Sequence, residues 1–266
     1  MSMVNFLAME QKQSNCVEHG DFTSLSFVKG RWTTCPVCAE AKVAEIDSER
    51  AAQEKRAAWE RRVGQSCIPT RFAKRTLSSF VVSNAGQGRA KAFAVAYAEG
   101  FDDVLKSGRS AIFSGNPGTG KTHLAAGIGL HIMAKGKTFL FSSAASLVRR
   151  VKDTYSKGSA ETESEAIRFF CTPDLLVIDE VGQQFGSDTE KLVLFEVINR
   201  RYENCQPTIL MSNLPVEDYK IRGEVRPGIR SYLGDRVIDR MREGGGQLII
   251  FDWESQRGNA AGEEEK

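Results

Sequence analysis

Residues 110–133 read SAIFSGNPGTGKTHLAAGIGLHIM, and this stretch decides the fold. Within it, Gly115-Asn116-Pro117-Gly118-Thr119-Gly120-Lys121-Thr122 is a complete GxxxxGK[ST], followed by His123. It lies after a short apolar run and before a segment of helical character, which is where a phosphate cradle works. The glycines let successive backbone N–H groups turn inward around phosphate oxygens, and a helix starting at Lys121 points its positive end at the same charge. Lys121 is then placed for the β- and γ-phosphates and Thr122 for Mg²⁺. The alternative, a glycine-rich turn with no ligand, leaves the Lys-Thr pair without a reason.

Further apolar runs extend the pattern: KTFLFSS (137–143), DLLVIDE (174–180), PTILMSN (207–213) and QLIIFDW (247–253) alternate with helical stretches. Such alternation predicts βαβ crossovers and a five-stranded, mostly parallel sheet covered on both faces, hence an α/β fold. Asp179 emerges at the C-terminal end of its strand, where ligands bind in open α/β sheets, and is read as a Mg²⁺ ligand. Glu180 follows as the acceptor of a proton from attacking water. A phosphotransferase acting on a hydroxyl has less need of the second carboxylate, so Asp179-Glu180 points to hydrolysis. Asn213 ends another run; it either orients the water beside the γ-phosphate or simply stops the strand before Pro215.

The chain has 266 residues, with 41% hydrophobic residues and a net charge of +2. That is enough for a real core, and the mildly basic balance permits nucleic acid without demanding it. No apolar run approaches the ~20 residues that span a bilayer. The start, MSMVNFLAMEQKQSN, lacks the basic and long apolar parts of a secretory signal, so a soluble cytoplasmic protein with no membrane partner is expected.

Three of the six cysteines are scattered; the others form a pattern. Cys16-x2-His19 and Cys35-x2-Cys38 are two short-spaced pairs separated by fifteen residues, the arrangement a closed tetrahedral zinc site requires. Four protein ligands leave no open position, so the zinc would be structural and would supply the folding energy of about 30 residues that lack a core. Free thiols with a surface histidine are the bland alternative. Residues 14–40 otherwise read as turns. Residues 39–62 form a helix polar nearly all round, as in helices that bridge domains or lie on a surface. Residues 88–108 form an apolar-faced helix. The division expected is 1–65 (zinc module and charged helix), 66–257 (nucleotide-binding domain) and 258–266 (a frayed acidic tail).

Taken in order, GNPGTGKTH, LLVIDEVG, TILMSN, GDRVIDRMR and FDWESQR resemble the AAA+ ATPases of the DnaC-type helicase loaders, whose relatives include IstB-type transposition ATPases. The resemblance covers about residues 66–257. It implies an ATP- and Mg²⁺-dependent ATPase that self-associates through its ATPase interfaces. It also implies a DnaB-type replicative helicase hexamer and single-stranded DNA as partners, a central P-loop strand, and the Asn213 strand beside it. Arg240 matches the position of a finger that completes the site of the adjacent subunit, and Arg236 lies one helical turn before it on a helix expected over 233–243. For both, a solvated ion-paired face is the competing reading. Arg257 matches an arginine that contacts the nucleotide of its own subunit; only 53 residues follow Asn213, so the helical lid should be minimal or absent. Lys152 and Tyr155 resemble a Lys-Asp-Thr-aromatic stretch of the loaders. With Arg149 and Arg150 they pair cations with a ring, which suits single-stranded DNA, although an ordinary basic helix face fits as well. An N-terminal zinc module departs from the family pattern, and helicase contact through residues 1–65 follows only as a hypothesis. An IstB-like transposition ATPase, a small-molecule kinase and an inactive zinc adaptor are the alternatives.

Overall fold

A computed structural model describes residues 10–182 and 187–256; Arg257 and the tail 258–266 lie outside them. The chain divides into two compact units between Arg61 and Arg62, a few residues before the boundary expected at 65. In the first unit, β1 (Glu10–Cys16) and β2 (Gly20–Ser26) form an antiparallel hairpin, and α1 (Pro36–Gln65) begins after Cys35. The hairpin corrects the turn-only reading of 14–40. Its strands, EQKQSNC and GDFTSLS, are too polar for periodicity to reveal them. The charged helix is present, and residues 43–51 along it are exposed.

The second unit contains α2 (Ala85–Glu99), α3 (Phe101–Ser107), β3 (Ala111–Gly115), α4 (Lys121–Ala134), β4 (Phe139–Ser143), α5 (Ala144–Asp153), α6 (Glu163–Cys171) and β5 (Leu175–Asp179). There follow α7 (Asp188–Glu203), β6 (Thr208–Ser212), β7 (Tyr219–Ile221), β8 (Glu224–Arg226), α8 (Ile229–Leu233), α9 (Asp235–Arg242) and β9 (Gln247–Phe251). The five expected strands pair in the order β4-β5-β6-β3-β9, every pairing parallel. The middle strand is therefore β6. The P-loop strand β3 stands one in from the edge, between β6 and β9, rather than at the centre.

Both faces are covered, and the alternation of side chains along each strand divides the core. Leu176, Ile178 and Leu210 pack with Leu147, Ile167 and Val197 from α5, α6 and α7. Phe113 faces the other way, against Phe93 of α2 and Phe251. The helix expected over 88–108 is broken at Gly100 into α2 and α3. The one expected over 233–243 begins only at Asp235, because Gly234 has an extended ψ at φ +86°. Among the described residues no helix follows β9, and none is long and apolar enough to cross a membrane.

Arg201, on α7, is fully buried with all its donors used. It donates to Thr208 Oγ1 and to the carbonyls of Phe170, Pro173, Asp174 and Pro207 at 2.7–3.3 Å. One guanidinium thus satisfies the backbone where α6, β5, α7 and β6 meet. Burial pulls its pKa down to about 10, still far above neutral pH, so it stays charged.

Candidate functional site

Parallel pairing sets the C-terminal ends of all five strands along one edge, and the candidate residues gather there. Gly115 closes β3 at φ +136°, and a Cβ on it would lie 2.2 Å from the Phe251 carbonyl oxygen, so only glycine fits beside β9. Gly120, at φ +97°, caps α4 against the Phe80 ring, 2.6 Å from where its Cβ would be. The Lys121 ammonium donates to the carbonyls of Gly115 and Asn116, both at 2.7 Å, and is held over the loop. Thr119 donates its hydroxyl to the Asn116 carbonyl at 2.7 Å.

Thr122 and Asp179 meet across the sheet edge, Oγ1 to Oδ2 at 3.4 Å. Burial pushes the Asp179 carboxyl above the usual carboxylate range, although its other oxygen accepts the Glu180 N–H at 2.8 Å. Thr122 and Asp179 are thus an oxygen pair suited to a hard cation such as Mg²⁺. Glu180 is exposed and sits at φ +60°, a conformation non-glycine residues adopt at a cost. Asn213 follows Ser212, which is in register with Ser114, so Asn213 stands beside the start of the P-loop.

Other predicted residues are turned elsewhere. His123 faces the 76–80 segment: its Nε2 lies 3.0 Å from the Thr76 carbonyl and 3.1 Å from the Ser79 hydroxyl, and Phe80 packs edge-on at 5.3 Å. Burial lowers its pKa. The Asn116 amide is spent on the carbonyls of Asp252 and Trp253. Arg236 is exposed, but the Arg240 guanidinium is packed between the rings of Phe195 and Tyr202, at 5.3 and 5.4 Å. The pair therefore does not present two equivalent cations. Arg257 lies outside the described residues.

A cavity of about 630 Å³ opens beside Asp179 and Glu180, with Arg149, Arg150 and Phe169 on its wall. Arg150 is clamped by Glu161 at 2.8 Å and stacked 3.7 Å from the centre of the Phe169 ring. Lys152 pairs with Glu190 at 3.7 Å, and the Tyr155 hydroxyl donates to Glu163 at 3.0 Å while its ring stays exposed. The four candidate DNA contacts are therefore split: two line the cavity and two do not.

In the first unit the ligand atoms of Cys16, His19, Cys35 and Cys38 all lie within 4.8 Å of one another. Cys16 closes β1, His19 follows in the turn, and Cys35 and Cys38 flank the start of α1. Cys16 Sγ is 3.6 Å from both His19 Nδ1 and Cys38 Sγ, and Cys38 Sγ is 3.2 Å from His19 Nδ1. Ligands of tetrahedral zinc, at about 2.3 Å for sulfur and about 2.0 Å for nitrogen, stand about 3.5–3.8 Å apart. The donor set and its spacing fit that ion. The Glu18 backbone N–H and the His19 ring lower the Cys16 thiol's pKa to about 6, whereas the neighbouring Cys16 raises that of Cys38 to about 11, so of these two only Cys16 leans toward the thiolate that binds metal.

A parallel sheet with a phosphate loop on one strand, an Asp-Glu pair two strands away and an asparagine strand between them defines a P-loop ATPase of the AAA+ type. Residues 46–241 match the IstB-like ATP binding protein family, and the chain belongs to that family. It is 36% identical over 220 residues to the replicative helicase loader DnaC of Buchnera aphidicola subsp. Acyrthosiphon pisum, covering 82% of this chain and 84% of that protein. It is 35% identical over 189 residues to the replicative helicase loader DnaC of Escherichia coli K12, covering 71% of each. Among solved structures, a crystal structure of the DnaC helicase loader superposes with a TM-score of 0.58 at 23% identity, covering 69% of this chain and 100% of that one. A DnaI structure gives 0.57 at 19% identity, covering 69% and 94%; these two likenesses are of fold.

Sequence reasoning missed the wall formed by Phe80 and the contacts of the 251–256 segment with the P-loop. The only signal was a tryptophan, Trp253, in an otherwise polar run after an apolar strand.

Proposed function

We propose that this protein is a cytoplasmic ATP-driven loader that places a ring-shaped replicative helicase on single-stranded DNA. The observation that carries this reading is the 36% identity, over most of both chains, to a protein named a replicative helicase loader. The family description, IstB-like, keeps one alternative in view: an ATPase that assists transposition on double-stranded DNA.

In this reading the P-loop residues 115–122 bind the triphosphate, and Lys121 exchanges its two carbonyl partners for phosphate oxygens. Thr122 and Asp179 hold Mg²⁺, which neutralises charge on the phosphates when bound. Glu180 takes the proton from the attacking water, and Asn213 orients that water. Arg240 leaves the Phe195 and Tyr202 rings to reach the site of a neighbouring copy, with Arg236 beside it, and Arg257 serves its own site. Arg149, Arg150, Lys152 and Tyr155 form the surface for single-stranded DNA. Cys16, His19, Cys35 and Cys38 hold a structural zinc, and residues 1–65 carry the contact to the helicase hexamer. The boundaries 1–65, 66–257 and 258–266 describe this division of labour.

The test is a pull-down against the replicative helicase of the same cell, with and without ATP, alongside binding to single- and double-stranded oligonucleotides. Helicase capture with ATP-dependent single-strand binding is expected. No capture in either nucleotide state, with a preference for duplex, would replace the loader by the transposition reading.

A further inference from the structure

The 251–256 segment holds the P-loop from outside through five hydrogen bonds. Asn116 N–H donates to the Phe251 carbonyl at 2.8 Å, and the Asn116 amide reaches the Asp252 and Trp253 carbonyls. Gln256 N–H donates to the Gly118 carbonyl at 3.0 Å. The Trp253 indole N–H donates to the Thr119 carbonyl, also at 3.0 Å, and this bond is buried. Thr119 is 1% exposed and Trp253 9%. The indole is closely packed: Phe251 lies 5.0 Å away, and a Cβ placed on Gly86 would stand 3.0 Å from the ring.

The consequence follows from the peptide plane, in which C=O and N–H point in opposite directions. Tying the Thr119 carbonyl to Trp253 turns the Gly120 N–H away from the bracing segment. Tying the Gly118 carbonyl to Gln256 does the same for the Thr119 N–H. The Gly115 and Asn116 carbonyls are held by Lys121 and Thr119 and the Asn116 N–H by Phe251, so the donors that the bracing turns toward an anion are the Thr119 and Gly120 N–H groups. A loop already in this shape loses less conformational freedom when phosphate arrives.

We infer that Trp253 is a positioning residue for nucleotide binding, its indole N–H holding the P-loop in the phosphate-accepting form. This rests on the P-loop reading above and adds a residue to it. Trp253→Phe keeps a ring between Gly86 and Phe251 but removes the donor. In the full-length protein, titrated with a fluorescent ATP analogue and Mg²⁺, the variant should bind about five- to tenfold more weakly, the effect of one lost hydrogen bond. Its turnover at saturating ATP should be unchanged, and its melting temperature without nucleotide should fall by only about 2–4 °C, the cost of one hydrogen bond. A second measurement leaves Trp253 in place: in a Trp32→Phe/Trp59→Phe protein, its emission should shift when ATP is added and stay constant in the same protein carrying Lys121→Ala. Equal affinity for wild type and Trp253→Phe, or emission indifferent to ATP while Lys121→Ala abolishes binding, overturns the inference and leaves the P-loop reading standing. If Lys121→Ala binds as tightly as wild type, the P-loop reading itself fails.

Discussion

Arg201 and Arg240 show what one residue can do in opposite settings. Arg201 gives every donor to backbone carbonyls or to Thr208, so its removal strands several buried acceptors at once. Arg201→Leu should therefore destabilise the second unit by about 3–5 kcal/mol, read as a lower urea midpoint. Arg240 is tied to two rings, and among the described residues its buried Nη1 has no hydrogen-bond partner. A guanidinium held by rings alone is cheaper to move than one held by carbonyls. Arg240→Ala should cost about 1 kcal/mol of stability and lower ATP hydrolysis by about 10³-fold, with nucleotide affinity unchanged. Lys121→Ala should abolish binding itself. If the two substitutions weaken ATP affinity equally, Arg240 serves its own subunit's pocket.

Among the elements, α6 depends most visibly on its cap. Thr162 accepts the Glu165 N–H, and Glu165 reaches back to the Thr162 N–H at 2.9 Å, a reciprocal capping box. Thr162→Ala should cost about 1 kcal/mol in a urea titration at neutral pH. Part of that contribution titrates. The Thr162 N–H and hydroxyl hold the Glu165 carboxyl below its usual range. A depressed carboxyl stabilises above its unfolded pKa and loses that contribution as pH falls through the folded value, so the gap between wild type and variant should narrow in acid. The first hairpin and the short β7–β8 ribbon were not legible in the sequence, because strands of mixed polarity carry no period for a local pattern to detect.

At the scale of the whole molecule, the two units should respond separately to metal removal. Chelation of zinc should abolish the fold of the first unit, seen as rapid proteolysis within residues 10–61, while the second unit still binds ATP. Joint loss of both would mean that the ATPase depends on the metal. A site completed by a neighbouring copy also predicts that specific ATPase activity rises with protein concentration. A concentration-independent rate from a strict monomer, with and without DNA, would remove the finger role of Arg240.

Local sequence alone determined the P-loop, the Asp179-Glu180 pair, the five strands and the two cysteine pairs, because each is a short-range pattern whose chemistry needs adjacent residues. Tertiary structure decided that β6 takes the middle of the sheet, that His123 turns to Thr76, that Arg240 lies between two rings, and that Trp253 grips a loop 134 residues away. These are properties of side chains meeting across the fold, where neither spacing nor propensity carries information. Which carbonyl an indole finds is settled only when strands far apart in the chain become neighbours.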